Sequence, residues 1–260
     1  MTRRGSGSHI RVLILAGTRE ARELATHLAA DDRFRVISSL KGITLSPQDY
    51  PGDRVIGGFG GAVGLADFLQ AERVDALVNA SHPFAAQMAR NARKSAEWLG
   101  LPFLRLRRMP WSSRPGDHWQ QVSTLEAAAT ALPPGAVAFL AVGSKGAEAF
   151  RSRSDVNFLI RTADPVPECE KWGNARYLTG LPAASTGLEL SVLRGHDVTH
   201  LVARNSGGID GYGKIAAARE IGMPVIMIDP PAEPAAIRKE TAGAAYRWLV
   251  GQFAAGDEQT

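Results

Sequence analysis

A chain of 260 residues, 45% of them hydrophobic, is long enough to bury one large core or two smaller ones. The net charge of +4 hides a bias, since 24 of the 30 cationic residues are arginine, whose planar fork suits carboxylate and phosphate. An anionic small molecule fits that bias; the basic residues are scattered, without zinc-finger spacing or a basic helix, so nucleic acid is not expected.

No run reaches the ~18 consecutive apolar residues that a membrane span needs, so a soluble, cytoplasmic protein with no membrane contact is expected. The single cysteine, Cys169, excludes an internal disulfide and reads as an inert buried thiol. Residues 1–9 have almost nothing to pack and read as a disordered arm. Residues 10–16 form an apolar run typical of a strand buried on both faces. In the helix expected over 20–30, Ala21, Leu24, Ala25 and Leu28 fall on one stripe. The rhythm continues with strands at 34–40, 54–56, 76–79 and 103–106 and helices at 62–72 and 84–99. Between Arg107 and His118 two prolines and a glycine break the pattern and mark a boundary.

A second series follows, with strands at 136–142, 157–161, 199–203 and 224–228 and helices after Thr124, Gly146, Thr186, Lys214 and Glu233. Alternating strands and helices predict an α/β protein with two Rossmann-like, doubly wound parallel-sheet domains, 10–107 and 118–260, facing a central cleft. Ligands of such sheets sit at the carboxyl ends of the strands. That directs attention to the loops after Ala16, Leu40, Ile56, Asn79, Val142 and Ala203.

The first loop, Gly17-Thr18-Arg19-Glu20, combines a tight turn, a hydroxyl, a cation and a helix start whose free N–H groups can hold a pyrophosphate. It is not the dinucleotide fingerprint, because Arg19 and Arg22 occupy the other two glycine places, and an ordinary strand-to-helix turn is the plainer alternative. At the end of the second strand, Ser38-Ser39-Leu40-Lys41-Gly42 lacks the acid that binds a ribose in NAD sites. Ser39 and Lys41 there favour the 2′-phosphate of NADPH, the competing reading being a solvated surface lysine. Gly57, Gly58, Phe59 and Gly60 allow backbone to approach a flat ligand, with an exposed Phe59 covering a ring. Ser81, His82 and Pro83 open a helix; Ser81 fits a cap or a ligand contact, and His82 a proton donor or a packing residue. In the second half, Ser144 and Lys145, then Arg204, Asn205, Ser206 and Gly207 with Lys214, offer cations and polar donors framed by glycine. These suit the carboxylates of an acidic substrate.

Taken in order, the segments Gly17-Thr18-Arg19-Glu20-Ala21-Arg22, Ser81-His82-Pro83-Phe84-Ala85, Arg105 to Pro110, Gly143-Ser144-Lys145 and Asn205-Ser206-Gly207-Gly208 with Lys214 resemble the precorrin-6A reductase family. Asn79-Ala80-Ser81 stands where Asp-Ala-Thr is common, Arg204 where Lys is common, and Asp229-Pro230-Pro231 in place of an Arg-Pro pair. The resemblance implies NADPH-dependent reduction of one double bond of precorrin-6A to give precorrin-6B in cobalamin biosynthesis, with no metal. It also implies a polyanionic tetrapyrrole partner, in accord with the arginine bias. His82, Ser206 or a water would then deliver the proton. Two other readings stand beside it. A short-chain dehydrogenase or epimerase would carry a Tyr-x-x-x-Lys pair, which none of Tyr50, Tyr177, Tyr212 and Tyr246 begins. A non-catalytic NADP(H)-sensing module would leave the second set of cationic loops unexplained.

Overall fold

The computed structural model describes residues 9–40 and 49–254; residues 1–8 of the expected arm and Lys41 lie outside them. The apolar run at the start forms strand β1 (Ile10–Leu15), buried from Val12 to Leu15. Gly17, at φ +126°, then turns the chain into helix α1 (Arg19–Ala29). Thr18 caps α1 by accepting from Ala21 N at 3.2 Å, and Ala21, Leu24, Ala25 and Leu28 are its buried stripe. β2 (Phe34–Leu40), β3 (Asp53–Ile56), α2 (Ala62–Ala71), β4 (Ala76–Asn79), α3 (Ala86–Leu99) and β5 (Phe103–Leu106) continue the alternation. Helix α3 begins two residues later than the expected residue 84, because Ala85 N donates to His82 O at 2.8 Å and closes a turn through Pro83 first.

Then come β6 (His118–Val122), α4 (Leu125–Ala131), β7 (Val137–Ala141), the short α5 (Ser144–Ala147), β8 (Asn157–Thr162), β9 (Ala175–Thr179), α6 (Thr186–Gly195), β10 (His200–Arg204), α7 (Gly213–Glu220) and β11 (Pro224–Ile228). β12 (Ile237–Lys239) and α8 (Ala242–Phe253) complete the order. Among the described residues these strands make two six-stranded sheets, β12-β5-β4-β1-β2-β3 and β6-β11-β10-β7-β8-β9. Every strand pairing is parallel. The first sheet is covered on both faces: Val12, Ile14 and Val78 pack with Leu24, Leu28, Ala245 and Leu249. Leu13, Leu15 and Leu77 pack with Leu65, Leu69, Ala92 and Ala96. One face of the second sheet carries Phe139, Leu201 and Met227 against Leu193, Ile215 and Ala218 of α6 and α7.

The chain divides into a first unit, Met1–Arg108 with Ala232–Thr260, and a second unit, Met109–Pro231. This differs from the expectation that the second domain runs to residue 260. Ile237 pairs with Leu104 at the edge of the first sheet, and α8 packs on α1, where Tyr246 donates to Asp31 at 2.7 Å. The helix expected right after Glu233 starts only at Ala242, capped by Thr241. Cys169 is exposed in the 3-10 turn Glu168–Glu170, not buried as expected, since its proline-flanked, charged surroundings have no apolar stripe to bury.

Candidate active site

In the first sheet the strand order reverses between β1 and β4, the switch point where open α/β sheets bind ligands at the carboxyl ends. The loops after these two strands are joined there. Thr18 Oγ1 donates to Ala80 O at 2.9 Å, and the half-buried region is closed by Tyr50, whose hydroxyl donates to Thr18 O at 3.1 Å. Tyr50 was not singled out in the sequence. Burial raises the pKa of its phenol, so it acts there as a neutral donor.

Gly17 is exposed, with open space where a side chain would stand, but its φ of +126° disfavours any other residue. The start of α1 carries the partial positive charge that favours an anion. Arg19 is exposed and pairs with Glu23 at 2.8 Å. Glu20 accepts from Arg108 at 2.8 Å and so is held as an ion-pair partner in the turn. At the end of β2, Ser39 is buried and Leu40 half-buried; their carbonyls accept from Ala16 N and Gly57 N, tying three loops together.

Gly57, Gly60 and Gly61 all have positive φ, and open space surrounds the place of a Cβ at each. Phe59 departs from its expected exposure. Its ring is half-buried, with its centroid 5.0 Å from that of Phe68. Its backbone lies so close to α2 that a Cβ on Gly64 would collide with the Phe59 carbonyl. Gly64 is thus required by the glycine loop, a spacing invisible to motif reading.

The loop after β4 is the most constrained. Asn79 is fully buried and its Oδ1 accepts from Ser81 N at 3.1 Å and from Ser81 Oγ at 2.7 Å. Ser81 is therefore held by Asn79 and not by the helix that follows. His82 is half-buried, and its Nδ1 accepts from Phe84 N at 3.3 Å. A neutral ring in that arrangement carries its proton on Nε2.

Behind this loop lies a charged cluster that sequence reading missed. Glu233 Oε1 accepts from Arg105 Nη2 at 2.7 Å and Glu233 Oε2 from Arg107 Nη1 at 3.0 Å, all three side chains under 10% exposed. Burial alone would raise the Glu233 carboxyl, but hydrogen bonding and charge from Arg105, with Arg107, outweigh it and hold the acid below its ordinary range. A signal for this cluster was present in the two arginines inside and just after an apolar strand, positions that demand a buried counter-charge. Its partner, 128 residues away, was not legible.

In the second unit the loops after β7 and β10 sit on either side of the place where the order of its strands reverses. Ser144 and Lys145 are exposed at the start of α5. Arg204 is half-buried, and burial lowers its pKa; a Cβ on Gly146 would lie 2.8 Å from its Nη2, so that glycine makes room for the guanidinium. Asn205 is buried, with Oδ1 accepting from Trp111 N at 2.7 Å and Nδ2 donating to Trp111 O at 3.0 Å. Lys214 is also buried. Its Nζ donates to Gly211 O at 2.6 Å and lies 5.5 Å from the centre of the Trp111 ring. Both expected substrate contacts also hydrogen-bond within the second unit. Ser206 is half-buried and Gly207 adopts φ +65°.

A cavity of about 210 Å³ lies beside Ser144, lined by Thr162, Glu170 and Tyr177 among others. Another of about 380 Å³ opens at the amino ends of β7 and β8, beside Asn157 and His196, away from these loops.

The family profile "Precorrin-6x reductase CbiJ/CobK" matches residues 11–249. The chain belongs to this family. It is accordingly an oxidoreductase, and as a reductase it calls for a nicotinamide cofactor. A "Precorrin-6A reductase" of Rhodococcus erythropolis is 42% identical over 92% of this chain and 97% of its own length. One from Rhodobacter capsulatus is 38% identical over 92% and 95%. The solved structure "CobK precorrin-6A reductase" superposes with a TM-score of 0.89 at 37% identity, covering 94% of this chain and 97% of that one. Among the described residues no helix is long and apolar enough to cross a membrane.

Proposed function

We propose that this reductase uses NADPH to reduce one double bond of precorrin-6A, giving precorrin-6B, with the dinucleotide on the first unit and the tetrapyrrole on the loops of the second. The observation that carries the cofactor half is the junction of the β1 and β4 loops through Thr18 and Ala80. It lies at the switch point beside an exposed left-handed Gly17 and the start of α1. The residues fit a dinucleotide: Gly17, Thr18 and Arg19 at the pyrophosphate, Gly57, Gly58 and Gly60 along its backbone, and Ser81, His82 and Pro83 at the reacting end. When bound, NADPH supplies the hydride.

The absence of an acid at the end of β2, where Ser39, Leu40 and Lys41 stand, supports the phosphorylated dinucleotide over NADH. The chain's own tasks are then to orient, to neutralise and to deliver one proton to the carbon next to the one that receives the hydride. His82 in its imidazolium form, which gives up the bond from Phe84 N, is the donor that the first unit offers, and Ser206, re-protonated from water, the one from the second. Ser144, Lys145 and Arg204 supply donors for the acetate and propionate carboxylates of the macrocycle, and Asn205 with Lys214 keeps their loop in place.

The test is a fluorescence titration of the purified protein with NADPH and with NADH, repeated on Lys41→Glu, followed by turnover with precorrin-6A. NADPH preference lost in the variant supports the reading; failure to bind either dinucleotide overturns it. For the proton, His82→Gln and Ser206→Ala are compared over a pH series. Full turnover with an unchanged pH profile in both removes the two side chains from that role.

A further inference from the structure

The Glu233 cluster reaches further than an ion pair at a sheet edge. Arg105 presents Nε and Nη2 to the Glu233 carboxylate, at 3.1 and 2.7 Å from Oε1. With Nη1 it donates to Asn79 O at 2.9 Å, Ser81 O at 3.0 Å and Leu106 O at 3.3 Å. A guanidinium is planar, so fixing one edge fixes the other. Glu233 therefore sets the plane of Arg105, and Arg105 holds two carbonyls of the turn whose side chains Asn79 closes from within. Arg107 shares the carboxylate through Glu233 Oε2. Without the acid, two guanidinium groups would be left buried together, and their repulsion would turn Arg105 off the carbonyls.

We propose that Glu233 is a positioning residue for the reductase: through Arg105 it holds the Asn79–Ser81 turn, and with it Ser81 and His82, in the geometry that receives the dinucleotide. This rests on the reading that the loop after β4 takes the cofactor. Glu233 stands on the segment that returns to the first sheet just ahead of β12. The returning segment thus supplies the acid that orients a loop of the first segment, Met1–Arg108, of the same unit.

The test uses the full-length protein with Glu233→Gln, which keeps size and removes charge, and Arg107→Gln, which removes the partner that does not reach the turn. Thermal stability, the Kd for NADPH and the split between KM for NADPH and kcat are measured for each. Glu233→Gln is expected to raise Kd and KM for NADPH about tenfold, as displacement of a binding loop does, and to lower kcat as well, since His82 moves with the turn. Arg107→Gln is expected to lose stability while keeping the wild-type Kd, which a purely structural role for the acid would not predict. Glu233→Asp should restore part of the affinity. If Glu233→Gln does not fold, Arg105→Lys takes its place, since a lysine cannot hold the acid and both carbonyls, and the same rise in Kd is expected. A wild-type Kd in folded Glu233→Gln or Arg105→Lys overturns the positioning role alone. A wild-type protein that binds no NADPH overturns the cofactor reading, and this role with it.

Discussion

Asn205 holds the backbone of Trp111 at both ends of its amide, accepting from Trp111 N at 2.7 Å and donating to Trp111 O at 3.0 Å. The indole adds a third tie, donating to Gly208 O at 2.7 Å. The segment that follows β5 is thereby fastened to the loop after β10. Asn205→Ala leaves two backbone groups without partners and should destabilise the second unit by about 2–4 kcal/mol, from the cost of unpaired buried groups. Asn205→Asp keeps the acceptor for Trp111 N and loses the donor, so it should fall between wild type and alanine. Urea denaturation gives the midpoints, and acrylamide quenching should rise in the alanine variant as Trp111 is released. Equal midpoints for all three proteins would deny the fastening any energetic weight.

Gly64 lies inside α2, where alanine normally gains about 1 kcal/mol over glycine. Here the added Cβ would strike the carbonyl of Phe59, so the glycine loop must shift. If the glycine loop takes the dinucleotide as proposed, Gly64→Ala should weaken NADPH binding about tenfold by displacing it, without the usual stabilisation. Gly251→Ala in α8, where open space surrounds the added Cβ, is the control. It should gain stability and bind NADPH as the wild type does. Isothermal titration of both variants decides the point.

Strands buried on both faces were legible because their sequences are continuous apolar runs, as in β1 and β4. The strands that escaped, β6, β9 and β12, all lie at sheet edges. An edge strand has one neighbour, tolerates polar residues and stays short. His118-Trp119-Gln120-Gln121-Val122 and Ile237-Arg238-Lys239 carry no alternation that a periodicity can detect. Missing β12 also misplaced the domain boundary. The loops at the carboxyl ends of the strands were legible through their glycines and polar residues, but the hydrogen bonds inside them were not. That Asn205 holds Trp111 and Lys214 holds Gly211 is visible only once their burial and partners are known. The acid that holds Arg105 is separated from it by an entire second unit.

Arg161 and Glu189 make a buried pair at 2.7 Å, with side chains 9% and 1% exposed. Glu189 also accepts from Ala183 N at 2.7 Å, and the Arg161 guanidinium lies 4.9 Å from the centre of the Phe139 ring. The acid thus joins β8, the loop after β9 and α6. Glu189→Ala leaves a buried guanidinium uncompensated and should destabilise the second unit by about 3–5 kcal/mol. Arg161→Met with Glu189→Leu, which removes both charges, should recover much of that loss. A double-mutant cycle in urea measures the coupling, and additive effects would show that the pair contributes nothing beyond its separate side chains.

The Glu233 carboxyl gives the acid side of the stability profile its expected shape. Burial opposes its ionisation, but Arg105 and Arg107 together hold its pKa below the ordinary 4.5. A depressed folded-state pKa means that the unfolded chain takes up the proton more readily. The stabilisation is then complete above the ordinary value and disappears as pH falls through the lower folded one. Glu233→Gln cannot titrate. The stability gap between wild type and this variant should be constant near neutrality and shrink as pH falls below the ordinary 4.5 and through the lower folded value, with the wild type losing more. The other carboxylates, Asp31 with its pKa lowered chiefly by the Arg33 hydrogen bond among them, are common to both proteins and cancel in the difference. Urea midpoints of the two proteins over a pH series measure it. A gap that stays constant to the acid end would mean that the two arginines do not hold Glu233 ionised in the folded protein.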